Sequence, residues 1–404
     1  MTVKEHSLWQ RAWVEIDLDA LADNYRTIRG TLKPATRLCC VVKANAYGHG
    51  AVIVASLYER LGADYLAVSG LEEALELRLG GITLPILILG YTAPDCASLL
   101  GRYQITQCVF SEDYAAALSR EAQKADVSLK VHLKLDTGMG RIGFPARREE
   151  ELYETVDTLG KVLELPSLVY EGIFTHFAMS DCGEMGRAYT ENQLSLFKSA
   201  VAMLKARGFA FELVHCANSA AIFDYPEAEL DMVRAGIVLY GYPPAGEVKI
   251  PPLTPVLSLK GVVDMVKTLH AGDSVSYGAA YVADRTVRVA TVPLGYADGF
   301  SRRIGEAGAT FGVRSGRATL VGKICMDQCM LDISDVPDVS VGDVVTFYGK
   351  EGVDLSALSE KLGTVVYEWI CALGERLPRV YYENGTLVRI TNRILAYSDL
   401  PEET

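Results

Sequence analysis

The sequence predicts an α/β protein in which an N-terminal (β/α)8 barrel of the TIM type precedes a mainly β C-terminal domain. Between Trp13 and about Tyr240, short apolar runs alternate with longer amphipathic stretches, which is the pattern of repeated strand–helix units. Eight or so units in about 230 residues match the size of such a barrel. Beyond Tyr242 prolines cluster and strand-and-turn segments replace the helical ones, which indicates a second domain.

The strands of the barrel are predicted from short apolar runs bounded by turn residues. In chain order they are 13–16, 38–42, 65–68, 85–89, 107–110, 129–135 and 169–176, with 211–216 and 232–238 contending for the closing positions. Helical spacing of apolar residues fills the intervals at 51–61, 71–79 and 113–125. An open doubly wound sheet is the alternative, but no Gly-x-Gly-x-x-Gly sequence follows the first strand to support it.

The change in pattern places the barrel at residues 11–250 and the mainly β domain at residues 251–404. One predicted helix, Leu355–Leu362, interrupts the second domain. Its β-rich runs are 256–266, 287–293, 319–321, 329–333 and 343–347. The sequence leaves open whether residues 1–10 pack with this β domain.

Composition limits the classes of function. The net charge of −12 over 404 residues argues against a nucleic-acid partner, because phosphate binding needs a basic surface. No apolar stretch approaches about 20 residues and the first residues lack the order of a secretory signal, so we expect a cytoplasmic protein without a membrane partner. The nine cysteines are scattered, and Cys325 and Cys329 have no second pair at zinc-site spacing, so we expect reduced thiols and no metal.

The most informative motif is the run 39–50, in which Lys43 ends an apolar stretch and Tyr47, Gly48 and Gly50 follow. An ammonium at the carboxyl end of a barrel strand faces the pocket in which such folds do chemistry. Desolvation lowers the pKa of a lysine and favours the free amine, which forms a Schiff base with an aldehyde. A lysine that reaches solvent from a strand end is the ordinary alternative. The tyrosine and glycines nearby favour a ligand site, because glycine lets backbone pass close to a ligand.

Other predicted strand ends also carry polar residues. Lys134 lies in a strand and Arg141 in the glycine-rich loop after it, His176 ends the next strand, and Arg234 closes an apolar run. The pair 218–219 offers a hydroxyl and N–H groups where a helix is expected to begin, which suits a phosphate. Taken alone, each of these motifs has an ordinary structural explanation: a solvated turn for Arg141, a core histidine for His176 and a helix N-cap for the pair 218–219. A purely structural role for all of them leaves several charged groups at strand ends unexplained.

The run 42–50 resembles the cofactor-lysine signature of the alanine racemase family, pyridoxal 5′-phosphate enzymes of the barrel-plus-β-domain type. The segment 134–143 is similar to the family's second signature, and further motifs follow in the family's order through residues 325–327. The resemblance implies that Lys43 holds the cofactor, and that Lys134, often carbamylated in the family, holds Arg141 beside the phenolic oxygen. It implies cofactor contacts from Tyr47, Leu89, His176, Asn218, Ser219, Arg234, Gly236, Ile237 and Tyr367, and a substrate site formed by Arg141, Tyr296, Met326 and Asp327.

The resemblance also implies racemisation by two bases. Inversion at Cα needs a proton taken from one face and another delivered to the opposite face, and Lys43 and Tyr277 match these two bases. A phenol with a pKa near ~10 is a poor base in water, so we expect the cationic side formed by Arg234 and His176 to favour the phenolate. Arg234 matches the residue at the pyridine nitrogen and keeps its own proton, which suits proton transfer rather than transamination. In the family the tyrosine comes from the other subunit of a head-to-tail homodimer.

The expected activity is interconversion of L- and D-alanine, which supplies D-alanine for peptidoglycan. A serine or broad-specificity racemase is an alternative, because a pocket barely discriminates against one added hydroxyl. A non-catalytic carrier or regulator of the cofactor is another, and it would not need Tyr277. Decarboxylases of the same two-domain plan would be expected to place a carboxylate at the ring nitrogen, which Arg234 argues against.

Overall fold

The computed structural model describes residues 11–244 and 248–395. Two compact units make up this part of the chain. The barrel unit comprises Ala22–Ala46 and Gly50–Leu253, and the β unit comprises the described residues of Met1–Leu21, Tyr47–His49 and Thr254–Thr404. Residues 1–10, whose packing the sequence left open, lie outside the described residues.

The strands are β1 (Ala12–Asp17), β2 (Arg37–Val41), β3 (Tyr65–Val68), β4 (Ile86–Ile88), β5 (Ile105–Val109), β6 (Leu129–Asp136), β7 (Phe144–Pro145), β8 (Leu168–Phe174), β9 (Leu213–His215), β10 (Met232–Ala235), β11 (Leu257–Val262), β12 (Met265–Leu269), β13 (Ser274–Val275), β14 (Tyr281–Val282), β15 (Val287–Val292), β16 (Thr310–Val313), β17 (Gly316–Leu320), β18 (Cys329–Asp332), β19 (Val344–Tyr348), β20 (Arg379–Glu383) and β21 (Thr386–Thr391). The helices are α1 (Leu18–Thr31), α2 (Ala51–Arg60), α3 (Leu71–Leu79), α4 (Ala97–Arg102), α5 (Glu112–Lys124), α6 (Glu149–Leu163), α7 (Gly183–Ala206), α8 (Ala221–Asp224), α9 (Leu355–Leu362) and α10 (Val366–Cys371).

The barrel unit is a closed parallel barrel, which confirms the predicted fold class. Its eight strands follow the order β2-β3-β4-β5-β6-β8-β9-β10, and β10 pairs back with β2 to close the ring. The short β7 pairs with the end of β6. Both contenders for the closing positions therefore supply strands, as β9 and β10. An eight-strand barrel directs polar groups after each strand to one face, where these folds carry their active sites.

The barrel strands are apolar for a physical reason. Parallel strands in a barrel are buried on both faces, and β3, β4 and β5 are buried along their whole length. Strand β6 departs from this pattern, because Lys130, His132, Lys134 and Asp136 alternate with leucine and valine. The last three of these polar residues are buried. The barrel interior therefore contains polar groups that need partners.

The β unit is built on a ten-stranded sheet with the order β12-β15-β18-β17-β16-β19-β11-β1-β20-β21. A separate pair is formed by β13 and β14. Helices α9 and α10 belong to this unit, and the carboxylate of Asp354 caps the first of them by accepting from Ser356 N–H and Ala357 N–H. The mainly β character expected of the second domain is confirmed.

The prediction that residues 13–16 form the first barrel strand is wrong. Strand β1 pairs antiparallel with β11 and parallel with β20, so it lies in the sheet of the β unit and outside the barrel that was predicted to begin at residue 11. Only its second half alternates in the manner of a sheet with one solvated face: Val14 and Ile16 are fully buried, whereas Glu15 is half-buried and pairs with Lys260 at 2.6 Å. A short apolar run does not by itself identify the sheet that it joins.

Candidate active site

Lys43 lies two residues after β2, at the start of a left-handed turn. Ala44, Asn45, Ala46 and Tyr47 all have φ between 52° and 55°, a conformation that costs a non-glycine residue about 1–2 kcal/mol. The turn is held by hydrogen bonds: Ala46 N–H donates to Val42 O at 2.8 Å, and the Asn45 side chain accepts from Ala51 N–H at 2.8 Å. Backbone strain of this kind concentrates at functional sites. The turn fixes the position of Lys43 at the carboxyl end of the strand.

The end of this turn belongs to the β unit. The rings of Tyr47 and Tyr367 lie 5.8 Å apart at 50°. Gly48 packs so closely against α10 that a Cβ there would lie 2.2 Å from Ile370 O, and its own carbonyl accepts from Arg379 Nε at 3.1 Å. The predicted cofactor contacts Tyr47 and Tyr367 are therefore brought together.

A buried lysine and a glycine-rich loop follow β6. Burial, together with the charges of Arg141 and Arg234, lowers the pKa of Lys134 to about 8. The loop that carries Arg141 wraps around Asp136, whose carboxylate accepts from Gly138 N–H at 3.1 Å and Gly140 N–H at 2.9 Å. Asp136 is thus the residue that shapes this loop, a role that the sequence reasoning did not assign.

Arg234 is a deeply buried cation of the site, with 4% of its surface exposed. Its Nη1 donates to His215 Nδ1 at 2.7 Å, and its Nη2 donates to Thr175 O at 2.8 Å, Cys216 O at 3.1 Å and His176 Nδ1 at 3.3 Å. Burial lowers the pKa of Arg234 to about 10, so the guanidinium stays protonated at neutral pH. Its acceptors among the described residues are neutral groups.

His176 is neutral, and the expectation that it adds positive charge beside Arg234 is wrong. Burial lowers its pKa well below the ordinary value, and Arg234, Arg141, Lys134 and Lys43 lower it further. An imidazole that accepts a hydrogen bond from a guanidinium cannot also carry a proton on that nitrogen. The four cations that act on this ring create a strongly positive environment at the carboxyl ends of the strands, which suits an anionic ligand.

The remaining barrel residues of the predicted site lie after β4, β9 and β10. Leu89 directly follows β4 and is half-buried. Ser219 Oγ accepts from Gly236 N–H at 2.9 Å, which joins the segments after β9 and β10. Ile237 begins a 3₁₀ turn, Ile237–Tyr240. The Asn218 carboxamide is partly committed to structure, because its Oδ1 accepts from Ser180 Oγ and Ala221 N–H, both at 3.0 Å.

The other predicted residues of the β unit, Tyr277, Tyr296, Met326 and Asp327, lie on three loops joined by hydrogen bonds to the segment 323–327. Tyr296 N–H donates to Cys325 O at 3.0 Å, and Ser276 Oγ donates to Lys323 O at 2.7 Å. Tyr277, Tyr296 and Met326 are exposed by 68%, 41% and 52%. Large side chains exposed together in this way are typical of a surface that binds a partner or a ligand.

Asp327 in the third loop belongs to a network of ion pairs with Arg376, Asp298 and Arg11. Arg376 donates from Nη1 to Asp327 and from Nη2 to Asp298, both at 2.9 Å, and Arg11 also donates to Asp298. Asp298 is fully buried and accepts from Gly295 N–H at 3.0 Å. This network fixes the loops that carry Tyr296 and Asp327.

Sequence reasoning missed three buried polar residues of the barrel interior: His132, Glu171 and His215. His132 Nδ1 lies 2.9 Å from His215 Nε2, and His132 Nε2 lies 3.1 Å from Glu171 Oε2. The alternation of polar and apolar residues along β6 was the available signal, because a barrel strand without polar partners reads as continuously apolar.

In residues 11–244 and 248–395, no helix is both long enough and apolar enough to cross a membrane. The same residues contain no group of three or more His, Cys, Asp or Glu side chains arranged to hold a metal ion.

The chain is similar to known proteins along nearly its whole length. Family models of the alanine racemase N-terminal domain and C-terminal domain match residues 16–244 and 256–381. The alanine racemases of Desulfovibrio desulfuricans and Clostridium tetani are 46% and 42% identical over 92% and 95% of this chain, and over 98% of each relative. The solved alanine racemase of Clostridium difficile 630 has a TM-score of 0.91 and 39% identity, and it covers 95% of this chain and 99% of its own. The structure of the Bacillus anthracis alanine racemase with bound L-Ala-P has a TM-score of 0.88 and 34% identity, with 96% and 99% covered. The resemblance seen in the motifs is confirmed.

Proposed function

The chain belongs to the alanine racemase family, and from this premise we propose that it interconverts L- and D-alanine with pyridoxal 5′-phosphate as its cofactor. The observation that carries the proposal is the set of cations at the carboxyl ends of the barrel strands: Lys134 and Arg234 are buried in β6 and β10, and Lys43 and Arg141 follow β2 and β6. Such a site suits a ligand with a phosphate, a phenolic oxygen and a substrate carboxylate. We further propose that the enzyme acts in the cytoplasm and supplies D-alanine for peptidoglycan.

The residues present fit this cofactor. The hydroxyl of Ser219 and the N–H of Gly236 meet where two strands end, as a phosphate site requires. The hydrogen bonds that Arg234 makes to described residues leave from its two terminal nitrogens, so its Nε–H remains for a ring nitrogen. When bound, pyridoxal phosphate supplies a conjugated electron sink for the charge that develops at the substrate Cα.

Each proposed residue then has a distinct task. Lys43 would hold the cofactor through its amine, and Arg141, supported by Lys134 in its free or carbamylated form, would neutralise the phenolic oxygen and the substrate carboxylate. The other proposed cofactor contacts are Tyr47, Leu89, His176, Asn218, Ser219, Gly236, Ile237 and Tyr367. Because a guanidinium donates a hydrogen bond but keeps its proton, Arg234 leaves the ring nitrogen mostly unprotonated and limits side reactions.

Proton transfer is proposed to use two groups. The amine of Lys43 holds or delivers the proton on one face of the substrate Cα, and the hydroxyl of Tyr277 does so on the other. Tyr296, Met326 and Asp327 would line the substrate site. We propose that the loops bearing these residues come from the second subunit of a head-to-tail homodimer, which would cover the exposed side chains of the β unit.

The first experiment tests the cofactor. Replacing Lys43 with alanine should abolish the visible absorbance of the purified holoprotein, and borohydride reduction of the wild type should add the cofactor's mass to the peptide that contains Lys43. Lys124→Ala, at an exposed lysine that pairs with Glu121, is the matched control and should leave the spectrum unchanged. An unaltered spectrum in the Lys43 variant would overturn the assignment.

The second experiment tests substrate and mechanism. The kcat/KM should be larger for L-alanine than for L-serine, and a larger value for serine would replace alanine as the substrate. Tyr277→Phe should lower activity sharply and unequally in the two directions, whereas Tyr281→Phe in the same hairpin should not. A carrier of the cofactor would lose nothing in either variant.

A third experiment tests the shared site. If Lys43 and Tyr277 come from different subunits, then mixing the inactive Lys43→Ala and Tyr277→Phe proteins under exchange conditions restores one intact site in each heterodimer. Random pairing should return about a quarter of the wild-type activity. A mixture that stays inactive although the subunits exchange would place both residues in one chain.

A further inference from the structure

Four side chains form a continuous hydrogen-bonded chain inside the barrel. Arg234 Nη1 lies 2.7 Å from His215 Nδ1, His215 Nε2 lies 2.9 Å from His132 Nδ1, and His132 Nε2 lies 3.1 Å from Glu171 Oε2. The exposed fraction of Glu171 is 8% and both histidines are fully buried. This series of hydrogen bonds therefore joins the guanidinium at the candidate active site to a second buried charge, the carboxylate of Glu171.

The chemistry of the two ends fixes the direction of every bond. A guanidinium can only donate, so His215 accepts at Nδ1 and, being neutral, carries its proton on Nε2. That proton is donated to His132 Nδ1, so His132 also carries its proton on Nε2 and donates it to Glu171. Burial lowers the pKa of both histidines, which keeps both rings neutral. A single arrangement of protons satisfies all three bonds.

The carboxylate end is built to stay ionised. Tyr65 donates to Glu171 Oε2 at 2.8 Å, and Lys130 donates to Oε1 at 2.5 Å. Burial alone would raise the pKa of Glu171, but the hydrogen bonds from His132, Lys130 and Tyr65 lower it to about 2. Glu171 is therefore an acceptor at every physiological pH.

The backbone is also adapted to this contact. The pairing of β6 and β8 shifts by one residue, so that Val131 pairs with Tyr170 and His132 pairs with Gly172, and Glu171 is left over as a bulge. A bulge re-aims the side chain of the extra residue. At Gly172, an added Cβ would lie 2.7 Å from the His132 ring, so only glycine leaves room for the histidine.

We propose that Glu171 is a positioning residue of the active site, which fixes the Nε2–H forms of His132 and His215 and thereby holds Arg234 in place as a donor toward the ligand. The claim that Arg234 donates toward a ligand rests on the proposed function. The claim that His132 and His215 carry their protons on Nε2 does not. Glu171 acts through two neutral rings and touches neither substrate nor cofactor.

Replacing Glu171 with glutamine would reverse the direction of the hydrogen bonds that lead from Arg234 to Glu171. Lys130 only donates, so it would select the amide oxygen of Glu171→Gln and turn the amide NH2 toward His132. His132 would then have to accept at Nε2 and carry its proton on Nδ1. His215 would in turn carry its proton on Nδ1, which faces Arg234 Nη1. Two N–H donors would then face each other, and the hydrogen bond between them would be lost. The substitution keeps the size of the side chain, removes its charge, reverses the bond to His132 and leaves the Tyr65 hydroxyl to donate to Thr106 Oγ1, 2.7 Å away.

The test is nitrogen NMR of protein labelled selectively at histidine, recorded without and with pyridoxal 5′-phosphate. In the wild type, both His132 and His215 should be protonated on Nε2 only, and protonation of either ring on Nδ1 at neutral pH would overturn the proposal without any variant. Because the spectrum of the cofactor-free protein needs no activity, a failure of the proposed function would instead appear as a wild type that forms no coloured complex.

The variant test uses Glu171→Gln beside Glu59→Gln. Glu59 Oε1 accepts from Thr83 N–H, Thr83 Oγ1 and Leu84 N–H, and an amide oxygen can accept all three bonds. Glu171→Gln should move the His132 proton to Nδ1, shift the absorbance of the bound cofactor and lower kcat/KM about tenfold, as with other carboxylates that orient a histidine. Glu59→Gln should change none of these. Unchanged histidine signals in a folded Glu171→Gln protein would refute the positioning role.

Discussion

Replacing Gly172 with alanine should destabilise the barrel, because His132 occupies the space that a Cβ needs. The new Cβ would lie 2.7 Å from ring atoms, and the ring must retreat by about 0.7 Å to reach an ordinary contact of 3.4 Å or more. The ring is held by bonds of 2.9 Å to His215 and 3.1 Å to Glu171, so a retreat of this size breaks at least one of them.

The magnitude follows from two costs. Overpacking of a buried site costs about 1–3 kcal/mol, and a buried polar group left without its partner costs a further ~1–3 kcal/mol. Alanine recovers about 0.4–1 kcal/mol through the unfolded chain, which leaves a net loss of about 3 kcal/mol. Urea denaturation followed by circular dichroism measures this loss.

The matched control is Gly160→Ala in α6 of the same unit. No atom lies within 4 Å of the added Cβ there, so the change should stabilise the protein by up to about 1 kcal/mol. The two alanines therefore have opposite expected signs. A Gly172→Ala protein as stable as the wild type, with unchanged histidine NMR signals, would refute the close contact and its role in the hydrogen-bonded chain.

Three further outcomes are expected. Asp298→Ala removes a fully buried carboxylate from Arg11 and Arg376 and should cost about 3 kcal/mol of unfolding free energy in urea titrations; a loss below 1 kcal/mol would contradict this. Its pKa is lowered by these bonds, so its contribution is present above the ordinary carboxyl pKa and is lost as pH falls below it. The pKa of Lys134 is about 8 in the fold against an ordinary 10.5, so the stability of the cofactor-free protein should rise between pH 8 and 10.5 by up to ~3 kcal/mol more than that of Lys134→Met; equal slopes would contradict the burial of the amine. Ser111→Ala removes the cap that accepts from the N–H of residue 114 and should cost about 1 kcal/mol in the same titration, while a neutral change would show that the cap contributes nothing.

The sequence predicted those parts of the fold that depend on local pattern. Short apolar runs located the barrel strands, because a parallel strand buried on both faces is apolar along its length. The pattern could not assign β1, because its partners β11 and β20 are more than 200 residues away in sequence. The left-handed turn after Lys43 was also beyond local rules, since its residues Ala44 to Tyr47 include no glycine and are held by contacts with later residues.

The same distinction applies to the candidate site. Charged residues at strand ends stand out in sequence because burial of a charge is costly without a use. The interior chain from Arg234 to Glu171 does not stand out, because each histidine resembles a core residue until its neighbours across the barrel are known. Only the register of β6 against β8 shows that Gly172 makes room for His132 and that Glu171 is turned inward.

The hydrogen-bonded series from Arg234 to Glu171 also explains why the Arg234 guanidinium can be buried without a carboxylate beside it. A carboxylate in direct contact with Arg234 would attract the guanidinium strongly in a buried site and would reduce the field that it presents to a ligand. In the barrel, Arg234 instead contacts neutral imidazoles and carbonyl oxygens, and the balancing charge of Glu171 stands two rings away. The hydrogen bonds to the imidazole and the carbonyl oxygens satisfy the donors of Arg234. Because Glu171 lies two rings away, its negative charge does not cancel the positive field of Arg234 at the site. Such a donor would polarise a ring nitrogen without protonating it, which is the property that the proposed proton transfer without transamination requires.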